Sequence, residues 1–275
     1  MSTMNVTSRT LQLALVTGIV CISGLRAEPP KVNKLAGSKA LLSAASSTKD
    51  LMETLAGHFA KASRHSVKVN PGSSNGLAGQ IIAGAPADLF LSASPEWADK
   101  VAEAKLSSRE AKLLTNKLVL IVPEGNPAGI SDPQDLTKVA VKKIALASEK
   151  VPAGMYADQT LTKLGLLDAL VKAKKIVRGQ DVRTALAYVE RGEAEAGIVY
   201  STDLLVAKKV EQVHEFDPAL HDEIVYVLVL LKHGDDNPAA RDFYDFLTSK
   251  VADKTLKQFG FERPVGTPKN SAAKK

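Results

Sequence analysis

KLVLIVP at Lys117–Pro123 and EIVYVLVLL at Glu223–Leu231 are the two longest β-type apolar runs in the chain. They bracket a middle block of about 100 residues that carries strand and helix patterns of its own. Two lobes joined by a pair of crossing strands, with a cleft between them, account for this arrangement. Two central strands of one sheet are the plainer alternative. On the first view, residues 38–117 and 225–264 form one lobe and residues 118–224 the other.

On both sides of these runs, short apolar segments alternate with longer ones at helical spacing. Strands are expected at ALLSA, SVKVN, DLFLSA, KKIALAS, KKIVRG, AGIVY and VEQVHEF, and helices opening near Ser47, Asn75, Pro95, Gly154, Asp181, Ser201 and Pro238. Such alternation predicts an α/β protein with mostly parallel sheets. No internal repeat interrupts it.

The ends read differently. Arg9 precedes LQLALVTGIVCISGL, which has the length of a signal-peptide core and is short for a membrane span. Cleavage after Ala27 is the expectation, with a retained anchor as the alternative because Leu25 is a poor residue three places before the cut. A lipoprotein is weaker still, since Val20 precedes Cys21 where a small residue belongs. Cys21 is the only cysteine of the 275 residues, so its removal leaves no disulfide, thiolate metal site or cysteine nucleophile. Residues 28–37 read as a linker and residues 265–275 as a solvated tail.

The formal charge is +6, or +4 without Arg9 and Arg26. The basic residues are spread along helical segments and are not interleaved with aromatics, which describes a solvated face and not a nucleic-acid surface. No long apolar stripe is exposed by the pattern, so a monomer is expected.

Gly72-Ser73-Ser74-Asn75-Gly76 matches the G-x-S-x-G elbow of many hydrolases and lies in the strand–turn–helix context that the elbow needs. Yet KALLSA, ASST and the amphipathic TKDLMETLAGHFAKA repeat that context, with Ser46 where Ser74 stands and Leu51, Leu55 and Phe59 on the apolar face. A triad has no use for a second elevated serine. Free N–H groups at a helix start, joined by a serine hydroxyl, suit an anion. Capping alone is the commonest reason for either serine taken singly. The middle block adds VPAG, where Ala153 follows a helix-opening Pro152, and QDV, where Asp181 caps and Val182 begins a helix. It also adds Tyr200, at the carboxyl end of AGIVY, where open α/β sheets bind ligands.

LLSAASSTKDL, GSSNGLAGQIIAGAPADLFLSAS, VPAGMYADQTLTKLG, DVRTALAYVERGEAEAGIVYSTD and FYDFLTSKVADKTLKQFGF together resemble the periplasmic molybdate-binding proteins of ABC importers, in order from about Lys39 to Glu262. The resemblance implies a class II periplasmic solute-binding fold of two α/β lobes, with molybdate or tungstate as ligand, no cofactor, no cation held by side chains, and an ABC permease as partner. Carried over by position, Ser46 and Ser74 each give a hydroxyl and a backbone N–H, Ala153 and Val182 a backbone N–H, and Tyr200 its hydroxyl. Molybdate has no proton to give near neutral pH, which suits a site of donors only. Phosphate usually carries a proton there and favours an acceptor. Asp181 and Asp203, close in sequence, read as caps or turn formers.

Three rivals stand beside this. A serine hydrolase would pair Ser74 with His214, His221 or His233, behind Asp203 or Asp217, but His221 and His233 lie in turn-like, exposed contexts. The same fold could carry sulfate, thiosulfate, a ferric complex or a small organic acid; iron sites of this class use neighbouring tyrosines, and Tyr156, Tyr188, Tyr200, Tyr226 and Tyr244 are well separated in sequence. An effector domain of a transcription regulator conflicts with the leader and lacks a helix-turn-helix ahead of the core.

Overall fold

The computed structural model describes residues 37–265. The leader, the linker short of its last residue and the tail beyond its first lie outside these residues. In chain order the first part is β1 (Lys39–Ala45), α1 (Lys49–Ala62), β2 (Ser66–Gly72), α2 (Ser74–Ile82), β3 (Leu89–Ser92), α3 (Pro95–Glu103) and β4 (Ser107–Thr115). The middle is β5 (Leu118–Pro123), β6 (Ile144–Ala147), α4 (Pro152–Lys163), α5 (Leu167–Lys172), β7 (Ile176–Gly179), α6 (Val182–Glu190), β8 (Ala196–Tyr200) and β9 (Val210–Glu215). The chain closes with β10 (Val225–Leu231), α7 (Lys232–Asp235), α8 (Pro238–Thr248) and α9 (Asp253–Gln258).

Two five-stranded sheets result, ordered β2-β1-β3-β10-β4 and β7-β6-β8-β5-β9. Each holds three parallel strands, plus one strand that arrives from the other sheet and runs antiparallel to both neighbours. That arriving strand is β10 in the first lobe and β5 in the second. The plainer alternative of one sheet is therefore excluded. The expectation of mostly parallel sheets is corrected too: half the pairings are antiparallel, because a strand entering from across the cleft runs against its hosts. The chain crosses at Asn116 and Lys117, and returns through residues 216–224.

Burial explains why β10 was conspicuous. Val225, Val227, Val229 and Leu231 pack on one side with Leu77, Ile81, Phe90 and Val101, while Tyr226, Leu228 and Leu230 join the larger core on the other. A strand covered on both faces reads as a continuous apolar run. β4 was missed for the opposite reason. It is an edge strand whose Arg109, Glu110 and Lys112 register against β10, and exposed charges are how edges avoid further pairing. On α1, Leu51, Leu55 and Phe59 are all buried, as their spacing predicts.

Candidate functional site

The two sheets present equivalent strand ends to one cleft. In the first lobe β1 leads to Ser46, β2 to Ser74 and β3 to Ala93; in the second β6 leads to Ala153, β7 to Val182 and β8 to Tyr200. All six line the same small cleft, about 200 Å³ of empty space including its open mouth. The five residues singled out from the sequence are thus brought together, although they are spread from position 46 to position 200. Among the described residues that line this cleft none is charged.

Each local geometry has a physical reason. Ser46 opens a single 3₁₀ turn, Ser46–Thr48, ahead of α1, and Ser74 is the first residue of α2. Neither hydroxyl caps its helix: the capping positions are Ala45 and Ser73, and neither makes a side-chain cap bond. The Ser74 Oγ instead accepts the Ala93 N–H at 3.0 Å, which leaves its own proton free for another acceptor. Asp181 does cap α6, accepting the Thr184 N–H at 2.8 Å, so the N–H of Val182 stays outside the helix ladder. Pro152 begins α4, two residues before the expected Gly154. A Cβ on Gly154 would stand 2.2 Å from the Ser148 carbonyl oxygen, so only glycine lets α4 start this close to the end of β6.

Tyr200 is the most informative member. Its hydroxyl is buried and has no hydrogen-bond partner among the described residues. Burial raises its pKa well above the ordinary 10, with Tyr226 and Tyr156 adding to the effect, so it keeps its proton and is able to donate. Tyr226 packs beside it, ring centroids 6.0 Å apart. This corrects the view of the tyrosines as separated. The Tyr226 hydroxyl, however, is committed to Ser47 Oγ at 2.9 Å and Asn116 Nδ2 at 3.2 Å, and it does not line the cleft.

Some elements of the site left no mark in the sequence. Asn116, on the crossing segment, also donates to Thr202 Oγ1 at 2.8 Å and accepts from Ser201 Oγ at 3.2 Å. Asp203 is more than a turn former. It is fully buried, accepts the Tyr200 N–H at 3.1 Å and lies 2.9 Å from Arg183 Nε. Desolvation pushes its pKa up to about 6, against the pull of Arg183 and of the Tyr200 N–H.

None of His214, His221 and His233 lines the cleft. His221 is buried, contrary to the expectation of an exposed turn: it packs on Tyr156 at 5.8 Å and its Nδ1 meets the Asp222 carbonyl at 2.7 Å. Among the described residues there is no cluster of His, Cys, Asp and Glu able to hold a metal ion, and no helix long and apolar enough to cross a membrane.

The profile of the bacterial extracellular solute-binding protein family matches residues 40–262. The chain belongs to that family. Among curated relatives, the molybdate-binding protein ModA of Haemophilus influenzae is 39% identical over 82% of this chain and 91% of its own length. The putative ABC transporter substrate-binding lipoprotein YvgL of Bacillus subtilis is 37% identical over 90% of this chain and 96% of its own. Among solved structures, the periplasmic molybdate-binding protein of Azotobacter vinelandii superposes with a TM-score of 0.73 at 26% identity, covering 82% of this chain and 99% of that one. The sulfate-binding protein SubI of Mycobacterium tuberculosis gives 0.71 at 18% identity over 83% and 88%, a likeness of fold alone. This solute-binding protein thus shares the two-lobed class II fold, and its cleft lies where the carboxyl ends of both sheets face each other.

Proposed function

We propose that this solute-binding protein captures molybdate, and tungstate with it, in the cleft between its lobes and delivers it from outside the cytoplasm to an ABC import permease. The observation that carries this reading is a cleft lined, among the described residues, by neutral groups only, in which Tyr200 holds a buried hydroxyl with no partner among those residues. Buried polar groups are normally satisfied, so an idle donor facing a cleft is poised for an acceptor that is not part of the chain. The Ser46 and Ser74 hydroxyls and N–H groups, the Ala153 and Val182 N–H groups and the Tyr200 hydroxyl make seven donors and no carboxylate. At ~1.5 to 3 kcal/mol for each hydrogen bond to a charged group, they are enough to hold a desolvated dianion without a lysine or arginine. The molybdate-binding relatives support the cargo. The leader read at residues 1–27 supports export to the periplasm, and the protein acts there as a monomer by binding, not catalysis.

The test is a melting series on the full chain with molybdate, tungstate, sulfate and phosphate. A ligand at 100 times its dissociation constant adds about 2.7 kcal/mol. Stabilisation by molybdate and tungstate alone is expected. Equal stabilisation by sulfate means an oxyanion cleft that does not select molybdate and tungstate over sulfate, and stabilisation by none of the four refutes the reading.

A further inference from the structure

Beside the cleft, one arginine spans both lobes. Arg183 follows Val182 in the first turn of α6, and its guanidinium reaches across to the first lobe. Nη2 donates to the Ser47 carbonyl at 3.3 Å and lies 3.1 Å from Asp50 Oδ2. At its root, Nε stands 2.9 Å from Asp203 Oδ1, an ion pair within its own lobe that lacks hydrogen-bond alignment. Asp203 is in turn fixed by the Tyr200 N–H. The arginine is therefore held from behind, with its far end offered to the opposite wall.

What that far end touches is specific. Ser47 follows Ser46, and Asp50 lies in the first turn of α1. The bridge ties the turn that presents Ser46 to the turn that presents Val182, two of the proposed donors from opposite sides. Arg183 does not itself line the cleft. One guanidinium between two carboxylates leaves a local charge of −1, so it offers no net attraction to a dianion. Its effect must come through the distance between the lobes.

We propose that Arg183 is a positioning residue, a latch that holds the two lobes closed through Asp50 and the Ser47 carbonyl and so slows release of the bound ligand. The identity of that ligand rests on the oxyanion reading above; the bridge between the lobes does not. Opening the cleft separates Arg183 from Asp50 and returns both to water, and the side chains are already 24% and 37% exposed. A pair of this kind changes dissociation more than association, by roughly fivefold.

The experiment measures molybdate release and capture on the full chain by isotope chase, for the native protein, Asp50→Asn, Asp50→Glu, Arg183→Gln and the Asp50→Asn/Arg183→Gln pair. Asp50→Asn leaves the buried Arg183–Asp203 contact intact, so it keeps the test valid if Arg183→Gln does not fold. Release about fivefold faster in Asp50→Asn is expected, with capture unchanged, recovery in Asp50→Glu, and no further acceleration when Arg183→Gln is added. Unchanged release in Asp50→Asn overturns the latch, as does a change confined to capture; either leaves the oxyanion reading standing. Should the native protein bind none of the four oxyanions, that reading fails and the latch is judged on the ligand-free chain. A larger radius of gyration by solution scattering in Asp50→Asn then supports it, and an unchanged one overturns it.

Discussion

Replacing Tyr200 with phenylalanine should move stability and affinity in opposite directions. The Tyr200 hydroxyl lies at the end of β8, buried and without a partner among the described residues. An unsatisfied buried polar group costs ~1 to 3 kcal/mol. Phenylalanine keeps the ring and its tilted packing on Tyr226, at 59° between planes, and removes only the oxygen. The ligand-free variant should be as stable as the native protein or more so, by up to ~1 to 3 kcal/mol. With molybdate bound, the same oxygen is a charge-assisted donor, and its loss should cost ~1.5 to 3 kcal/mol, roughly 10- to 150-fold in affinity. Titration calorimetry gives the affinity, and denaturant unfolding without ligand gives the stability. An unchanged affinity would show that the hydroxyl does not face the anion. A ligand-free variant less stable than the native protein would show that the hydroxyl is already satisfied, and the argument for the cleft would lose its main support.

Ser74→Ala, by contrast, should lower both quantities. Affinity should drop by ~1.5 to 3 kcal/mol, and ligand-free stability by ~1 to 3 kcal/mol because the Ala93 N–H loses its acceptor; paired titration and unfolding measurements check this, and a stability loss with intact affinity would make Ser74 purely structural. A pH effect is expected from Asp203, whose pKa is pushed up to about 6 from the 3.8 of a free aspartate. The folded state binds that proton more tightly than the unfolded chain, so stability falls as pH rises from about 4 to 6, by about 3 kcal/mol in all. Unfolding free energies of Asp203→Asn across this window should be flatter than those of the native protein, and identical slopes would refute the assignment. Asp135, held down to about 2 with its hydrogen bond from Lys138 as the main cause, acts in a separate window below pH 4 and in the opposite sense.

Much of the lobe architecture was legible in the sequence because it rests on burial patterns. β5 and β10 announced themselves as strands because they are enclosed by their sheets. β4 stayed hidden because an exposed edge gains nothing from an apolar pattern. The sites of the donors were legible for a related reason. A serine at a helix start, a proline opening a helix ahead of Ala153, and an aspartate before Val182 mark helix starts, where N–H groups lack intrahelical partners, and they look alike in any fold.

The sequence by itself determined nine of the ten strands, β4 being the exception, and where most helices begin. It did not determine that Ser74 would use its oxygen on Ala93, that Tyr226 would stand beside Tyr200 with its hydroxyl engaged by Ser47, that His221 would be buried, or that Arg183 would reach Ser47 and Asp50. Only the tertiary structure decided these. Local propensity and hydrophobic period act over a few residues, whereas Arg183 and Ser47 are 136 positions apart. Their meeting depends on how the two crossings of the chain set one sheet against the other, and that is fixed by packing, not by any pattern within either segment.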